Sequence, residues 1–156
     1  MSSFTRTEIQ AAFDRYVSAA NEAGRTGDWH PWVECFTPDV HYIEHLFGEF
    51  HGREQLLAWI TKTMSAWPFT HMQIFPWDWY TIDLERGWVI GQVENRFVDP
   101  GDGKTYQASN WTRLVYAGNG LFSLEEDVYN PASFAPMTKA WLAAWATTHP
   151  DQPTGG

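Results

Sequence analysis

The stretch Gly87–Pro131, GWVIGQVENRFVDPGDGKTYQASNWTRLVYAGNGLFSLEEDVYNP, most constrains the fold, because turn chemistry divides it twice. Asp99-Pro100-Gly101-Asp102-Gly103 and Ala117-Gly118-Asn119-Gly120 supply residues that tolerate positive φ or preset it. Each separates runs rich in Val, Phe, Tyr, Trp and Thr, so the stretch predicts three consecutive antiparallel strands in a curved sheet around a pocket. Alternation puts Gln92, Glu94 and Arg96 on one face of the first strand and Val93, Asn95 and Phe97 on the other. In the second, Ala108, Asn110, Thr112 and Leu114 oppose Gln107, Ser109, Trp111 and Arg113. In the third, the run Glu125-Glu126-Asp127 must divide between the faces, which turns at least one acid inward.

Before this meander the pattern turns helical. Ile9, Ala12, Phe13, Tyr16, Val17 and Ala20 follow helical spacing from Thr7 to about Gly24, with Thr5 or Thr7 as cap. Asp28 caps a short second helix with Trp29, Trp32, Val33 and Phe36 on one face. Thr37-Pro38-Asp39 ends it, and Val40–His45 reads as a strand in which Val40, Tyr42 and Glu44 oppose His41, Ile43 and His45. A short return strand and a helix from Arg53 to about Ala66 follow, burying Leu56, Leu57, Ile60 and Met64. Met72–Leu84 outlines a strand interrupted at Pro76, which cannot donate to a ladder. A last helix, about Pro136–Thr147, aligns Met137, Trp141, Ala144 and Trp145 and serves as core closure, pocket lid or dimer contact. The expected organisation is one domain over 1–148, with a flexible tail at 149–156.

The 156 residues suffice for one sizeable core, and ten tryptophans either pack it, line a ligand cavity or cover a subunit interface. A net charge of −9, from 19 acids against 10 Lys and Arg with no basic cluster, argues against nucleic acid as a partner. Cys35 stands alone in an apolar setting and reads as a buried thiol in a reducing cytoplasm. No apolar run is long enough to span a membrane, and MSSFTRTEIQ lacks a secretory core. His41 and His45 are roughly 13 Å apart along a strand, and the remaining histidines are scattered, so no metal site is expected.

Four phrases carry a family likeness: Phe13-Asp14-Arg15-Tyr16-Val17, Gly27-Asp28-Trp29, Cys35-Phe36-Thr37-Pro38-Asp39-Val40 and Phe50-His51-Gly52-Arg53-Glu54. With the element order, they make residues 4–131 resemble the nuclear transport factor 2-like superfamily, especially its SnoaL-like branch. The resemblance implies an α+β fold, a cone-shaped curved mixed sheet with N-terminal helices on its concave face around a deep apolar pocket. Its members include ketosteroid isomerases, polyketide cyclases, epoxide hydrolases, scytalone dehydratase and proteins that only bind or assemble. Tyr16 sits where the isomerases place an oxyanion-hole tyrosine, and Glu44 where they place the general base. Their second oxyanion-hole acid has no counterpart on the strand holding Asn110 and Trp111. Asp127 falls where the cyclases and limonene-type hydrolases place a catalytic acid. The hydrolases' Arg and second Asp are not reproduced, since this chain offers Glu94 and Arg96 in reversed order, or Asn95 and Phe97.

The residues lead to the same chemistry by themselves. A carboxylate among aromatics is disfavoured in its charged form, so its pKa rises toward the range useful for proton transfer. The residues point to proton shuttling on a bulky apolar carbonyl, phenol or epoxide by a cofactor-independent acid/base enzyme, and the resemblance implies an isomerase, cyclase or dehydratase for a polyketide-, steroid- or terpenoid-like substrate. Asp127, Glu44, His45 and Tyr16 are the candidate catalytic residues. Trp32, Tyr42, Trp59, Asn95, Phe97, Asn110, Trp111 and Tyr129 are the candidate substrate contacts. The rivals are a non-catalytic binding domain or homodimeric assembly domain, and an epoxide hydrolase-like enzyme.

Overall fold

The computed structural model describes residues 4–152. Helix α1 (Arg6–Thr26) starts at a capping box in which Thr5 and Glu8 exchange side-chain and backbone hydrogen bonds, and ends at Gly27 in the left-handed conformation. Its buried stripe is Ile9, Ala12, Phe13, Tyr16 and Ala23. Gly24 lets it lie directly on the sheet, for a Cβ there would stand 2.6 Å from the Gln73 carbonyl oxygen. One short turn, α2 (His30–Val33), leads into β1 (Phe36–Glu44), β2 (Gly48–His51) and α3 (Gly52–Ser65). Then follow β3 (Met72–Ile74), β4 (Trp77–Asp83), β5 (Trp88–Phe97), β6 (Gln107–Gly118), β7 (Leu121–Val128) and α4 (Pro131–Thr148).

The strands form one curved, unclosed sheet in the order β2-β1-β7-β6-β5-β3, with β4 also pairing β5. The expected β5–β6–β7 meander is present, and β7 returns to lie parallel to β1. That parallel pairing sets Tyr42 beside Glu125 and Glu44 beside Asp127. On the other side β6 sets Leu114 beside Glu125 and Thr112 beside Asp127. Alternation then carries Tyr42, Glu44, Glu125, Asp127, Asn110 and Thr112 to the concave face, where α1 and α3 cover them.

Two boundaries differ from the sequence reading. Strand β1 begins at Phe36 rather than Val40, because Thr37-Pro38-Asp39 is accommodated as strand across an irregularity in its register with β7. Helix α4 begins at Pro131 rather than Pro136, since the Asn130 side chain accepts from the Ala132 N–H at 3.0 Å and caps it there. Pro136 therefore sits in the second turn. At the start of the expected tail, His149 stacks on Trp145 with ring centroids 3.8 Å apart, and its N–H closes the helix on the Trp145 carbonyl. Residues 153–156 of that expected tail lie outside the described residues.

Two apolar clusters result. The larger joins α1, α2 and α3 to the sheet through Ile9, Phe13, Trp32, Phe36, Leu56 and Phe122. The smaller lies under α4, where Met137, Trp141 and Trp145 meet Met72, Phe97 and Ala108. Trp141 is fully buried, stacks on Phe97 at 4.8 Å and donates its indole N–H to the Val98 carbonyl. Helix α4 thus closes a core, while Phe134 in its first turns reaches the cavity described next.

Candidate functional site

A cavity of about 240 Å³ opens between the concave sheet face and the helices. Trp29, Trp32, Trp59, Trp77, Phe69 and Phe75 form much of its wall, and its polar groups gather on β1, β6 and β7. Asp127 stands at their centre. It accepts hydrogen bonds from Tyr42 Oη at 2.5 Å, Thr112 Oγ1 at 2.5 Å and Asn110 Nδ2 at 2.9 Å. Burial pushes its pKa up to about 6; the Thr112, Tyr42 and Asn110 bonds oppose that rise, and the charge of Glu44 adds to it.

Two residues back on the same face, Glu125 is 2 % exposed. One of its oxygens accepts from Tyr16 Oη at 2.8 Å and Tyr42 Oη at 3.3 Å, while Oε2 is buried with no hydrogen-bond partner. Burial, reinforced by the charge of Asp127, raises its pKa well above the usual carboxylate range, against the opposing Tyr16 and Tyr42 hydrogen bonds. The Tyr16 and Tyr42 hydroxyls are driven up by burial and by these two acids, and stay protonated donors. Glu44 completes a group of three inward acids. Its Oε2 accepts the backbone N–H groups of Leu46 (3.1 Å) and Phe47 (2.6 Å), which ties down the β1–β2 turn at the cavity mouth, and its Oε1 is buried without a partner.

Of the sequence-predicted catalytic residues, Asp127, Glu44 and Tyr16 converge here. His45 does not. It lies beyond Glu44 on the opposite face, 54 % exposed, with Nε2 3.3 Å from Glu126 Oε1. Of the predicted contacts, Trp32, Tyr42, Trp59, Asn95, Asn110 and Tyr129 line the cavity. Trp111 is 55 % exposed on the outer face, edge-on to Trp79, because alternation opposes it to Asn110. Phe97 shares the face of Asn95 but lies farther along β5, where α4 covers it. Asn95 and Asn110 are also joined to the acid. Asn95 Nδ2 donates to Asn110 Oδ1 at 2.6 Å and Asn110 Nδ2 donates to Asp127, so the pair orients the acid. Glu125 and Thr112 were missed as site residues, although the same alternation that turns Asp127 inward turns both with it.

A second hollow, about 290 Å³, lies between the C-terminal ends of α1 and α3 and shares Trp29, Met64, Phe69 and Met72 with the first. No carboxylate or tyrosine is among the described residues that line it. Among the described residues one group of three has metal-ligand atoms within 4.8 Å of one another: His41, Glu49 and His51, on the outer face of the β1–β2 hairpin. Antiparallel pairing of His41 with His51 brings together histidines that their sequence spacing left apart.

The SnoaL-like domain family model matches residues 13–121, well over half of the chain. Solved structures with the same fold include a putative isomerase from Bacillus subtilis (13 % identity, 85 % of this chain and 94 % of that one, TM-score 0.65). An NTF2-like protein from Anabaena variabilis aligns at 12 % identity over 83 % of this chain and 95 % of that one, with TM-score 0.62. An LEH-like epoxide hydrolase of M. tuberculosis aligns at 14 % identity over 93 % and 98 %, with TM-score 0.61. No curated protein matches the chain. Identities this low speak for the fold alone, and the family model together with the curved sheet and its helices supports one conclusion: the chain belongs to the SnoaL-like domain family, within the NTF2-like superfamily.

Proposed function

We infer that this protein is an acid/base enzyme that moves a proton on a small, mainly apolar molecule, with Asp127 as proton acceptor and Glu125 as proton donor. One observation carries the reading: two carboxyls, two residues apart on β7, face one aromatic cavity with different sets of donors. Three side-chain donors favour the charged form of Asp127, while Glu125 has one oxygen in a tyrosine fork and the other bare. Side-by-side carboxyls whose surroundings separate their protonation states divide the roles of base and acid. Tyr16, Tyr42 and the orphaned Trp59 indole N–H are placed to orient an oxygen that gains charge.

The reaction is of isomerase, cyclase or dehydratase type, run by the protein's own side chains. A volume of about 240 Å³ lies below the usual range of about 300–1,000 Å³ for ligand pockets, which favours a substrate of one or two rings over a polycyclic one. The acting unit is one domain over 1–148 in a reducing cytoplasm. Incubating the protein with one- and two-ring enolisable ketones in deuterated water tests this. Deuterium entry beside the carbonyl is expected, lowered about 10²- to 10⁴-fold in Asp127→Asn with ligand affinity retained. Binding without exchange in any member of the panel would favour a non-catalytic binding domain instead. The outer sheet face supports a homodimer in either case, since Trp79, Trp111 and Val128 are exposed there; sedimentation velocity decides it.

A further inference from the structure

The charge of the cavity is one-sided. Glu44 and Asp127 line it, beside Glu125 read above as the proton donor, and no Lys, Arg or His is among the described residues that do. Elsewhere in the molecule exposed acids find cations readily: Glu126 meets Arg113 at 2.8 Å, Asp83 meets Arg86 at 2.8 Å and Glu22 meets Arg25. Inside the cavity the acids are held by donors alone. Asp127 takes three side-chain donors, an arrangement that suits a charged acceptor, and Glu44 takes two backbone N–H groups on a single oxygen. Two carboxylate oxygens, Glu44 Oε1 and Glu125 Oε2, are buried with no partner. Buried polar groups of native proteins are normally satisfied, so these oxygens, with the Trp32 and Trp59 indole N–H groups orphaned on the same wall, mark a place where polar groups lack partners. A second property of the wall points the same way. The rings of Trp32, Tyr42, Trp59 and Trp77 surround the acids, and aromatic faces attract cations, most strongly where water is excluded.

Resting on the reading of this cavity as a substrate site, we propose that its ligand is an apolar molecule carrying a positively charged nitrogen, an amine or quaternary ammonium, seated against Asp127 and Glu44. The charge of the ligand supplies the counter-ion that the walls lack, and its alkyl substituents pack on the indoles. Anionic ligands are excluded by the same field, and neutral ones gain only the apolar contact.

The test compares benzyltrimethylammonium with its neutral carbon isostere neopentylbenzene and with benzoate, each titrated into the full-length protein at pH 7.5 by tryptophan fluorescence quenching. Four tryptophans on the wall report occupancy. The cation is expected to bind at least about tenfold more tightly than the isostere, and benzoate more weakly than both. That preference should shrink toward equality in Asp127→Asn, and in the wild-type protein as the pH falls through about 6 and Asp127 takes up its proton. A neutral isostere that binds as tightly as the cation at pH 7.5 overturns the proposal and leaves the acid/base reading standing. Quenching by none of the three overturns both. Tight, selective cation binding in a protein that catalyses no deuterium exchange upholds this proposal while the catalytic reading fails.

Discussion

Strand β7 carries three consecutive acids on two faces, and the faces treat them in opposite ways. Glu126 points outward, 2.8 Å from Arg113 and 3.3 Å from His45, and the Arg113 hydrogen bond first of all holds its pKa below the ordinary carboxylate value. Glu125 and Asp127 point inward, meet only neutral donors, and are pushed up by burial. Neighbours in sequence with the same functional group become an ion pair on one side and a buried carboxyl pair on the other. The difference arises from the pleat of the strand, which fixes which groups each acid can reach.

Substitutions break this comparison with effects that fall in order. Asp127→Asn removes the proton acceptor while keeping its size and its acceptor oxygen, and lowers turnover about 10²- to 10⁴-fold with folding retained, as single-turnover kinetics and thermal melts will show. Glu125→Gln lowers turnover by about 10²-fold and flattens the pH dependence of stability. An acid whose folded pKa lies above its unfolded one binds its proton more tightly when folded, so its stabilising contribution is present below the unfolded value and is lost as pH rises toward the folded one. For Asp127 that window runs from 3.8 to about 6; Glu125 extends the loss upward from about 4.3. Urea melts from pH 4 to 7 should therefore show wild type losing stability and Glu125→Gln losing less.

Smaller effects sharpen the contrast. Tyr42→Phe removes the hydroxyl that donates to Asp127 at 2.5 Å, so the pH at which activity reaches half its plateau rises from about 6. Its stability falls by about 1.5–3 kcal/mol where the bond to charged Asp127 is lost. Glu126→Gln is the control on the outer face: it gives up a surface ion pair, alters stability by under about 1 kcal/mol and leaves turnover unchanged.

Much of the fold is legible in the sequence, because it rests on local signals: the Gly-rich turns around β6, the helical stripe of α1 and the Pro76 break between β3 and β4. The site is legible only as far as alternation reaches. Once Val40 and Tyr42 face the core, Glu44 must follow them and His45 cannot; once Asp127 turns in, Glu125 turns with it. Trp111 is excluded from the cavity by the same rule that admits Asn110. Phe97 is a different matter. It lies on the cavity face, and only the docking of α4, a contact between segments far apart in sequence, removes it from the site. The Tyr42 hydroxyl reaches these acids only through the parallel β1–β7 register, which no local pattern fixes.

Carboxyl carbon-13 NMR titration of the protein, with Glu125→Gln, Glu126→Gln and Asp127→Asn used to assign the three signals, tests most directly the claim that the face of β7 decides the chemistry of its acids. The account predicts that Glu126 titrates below the ordinary range, while the inward pair titrates above it, with Asp127 near pH 6. Three signals that all titrate together near the ordinary carboxylate value of about 4 would contradict it.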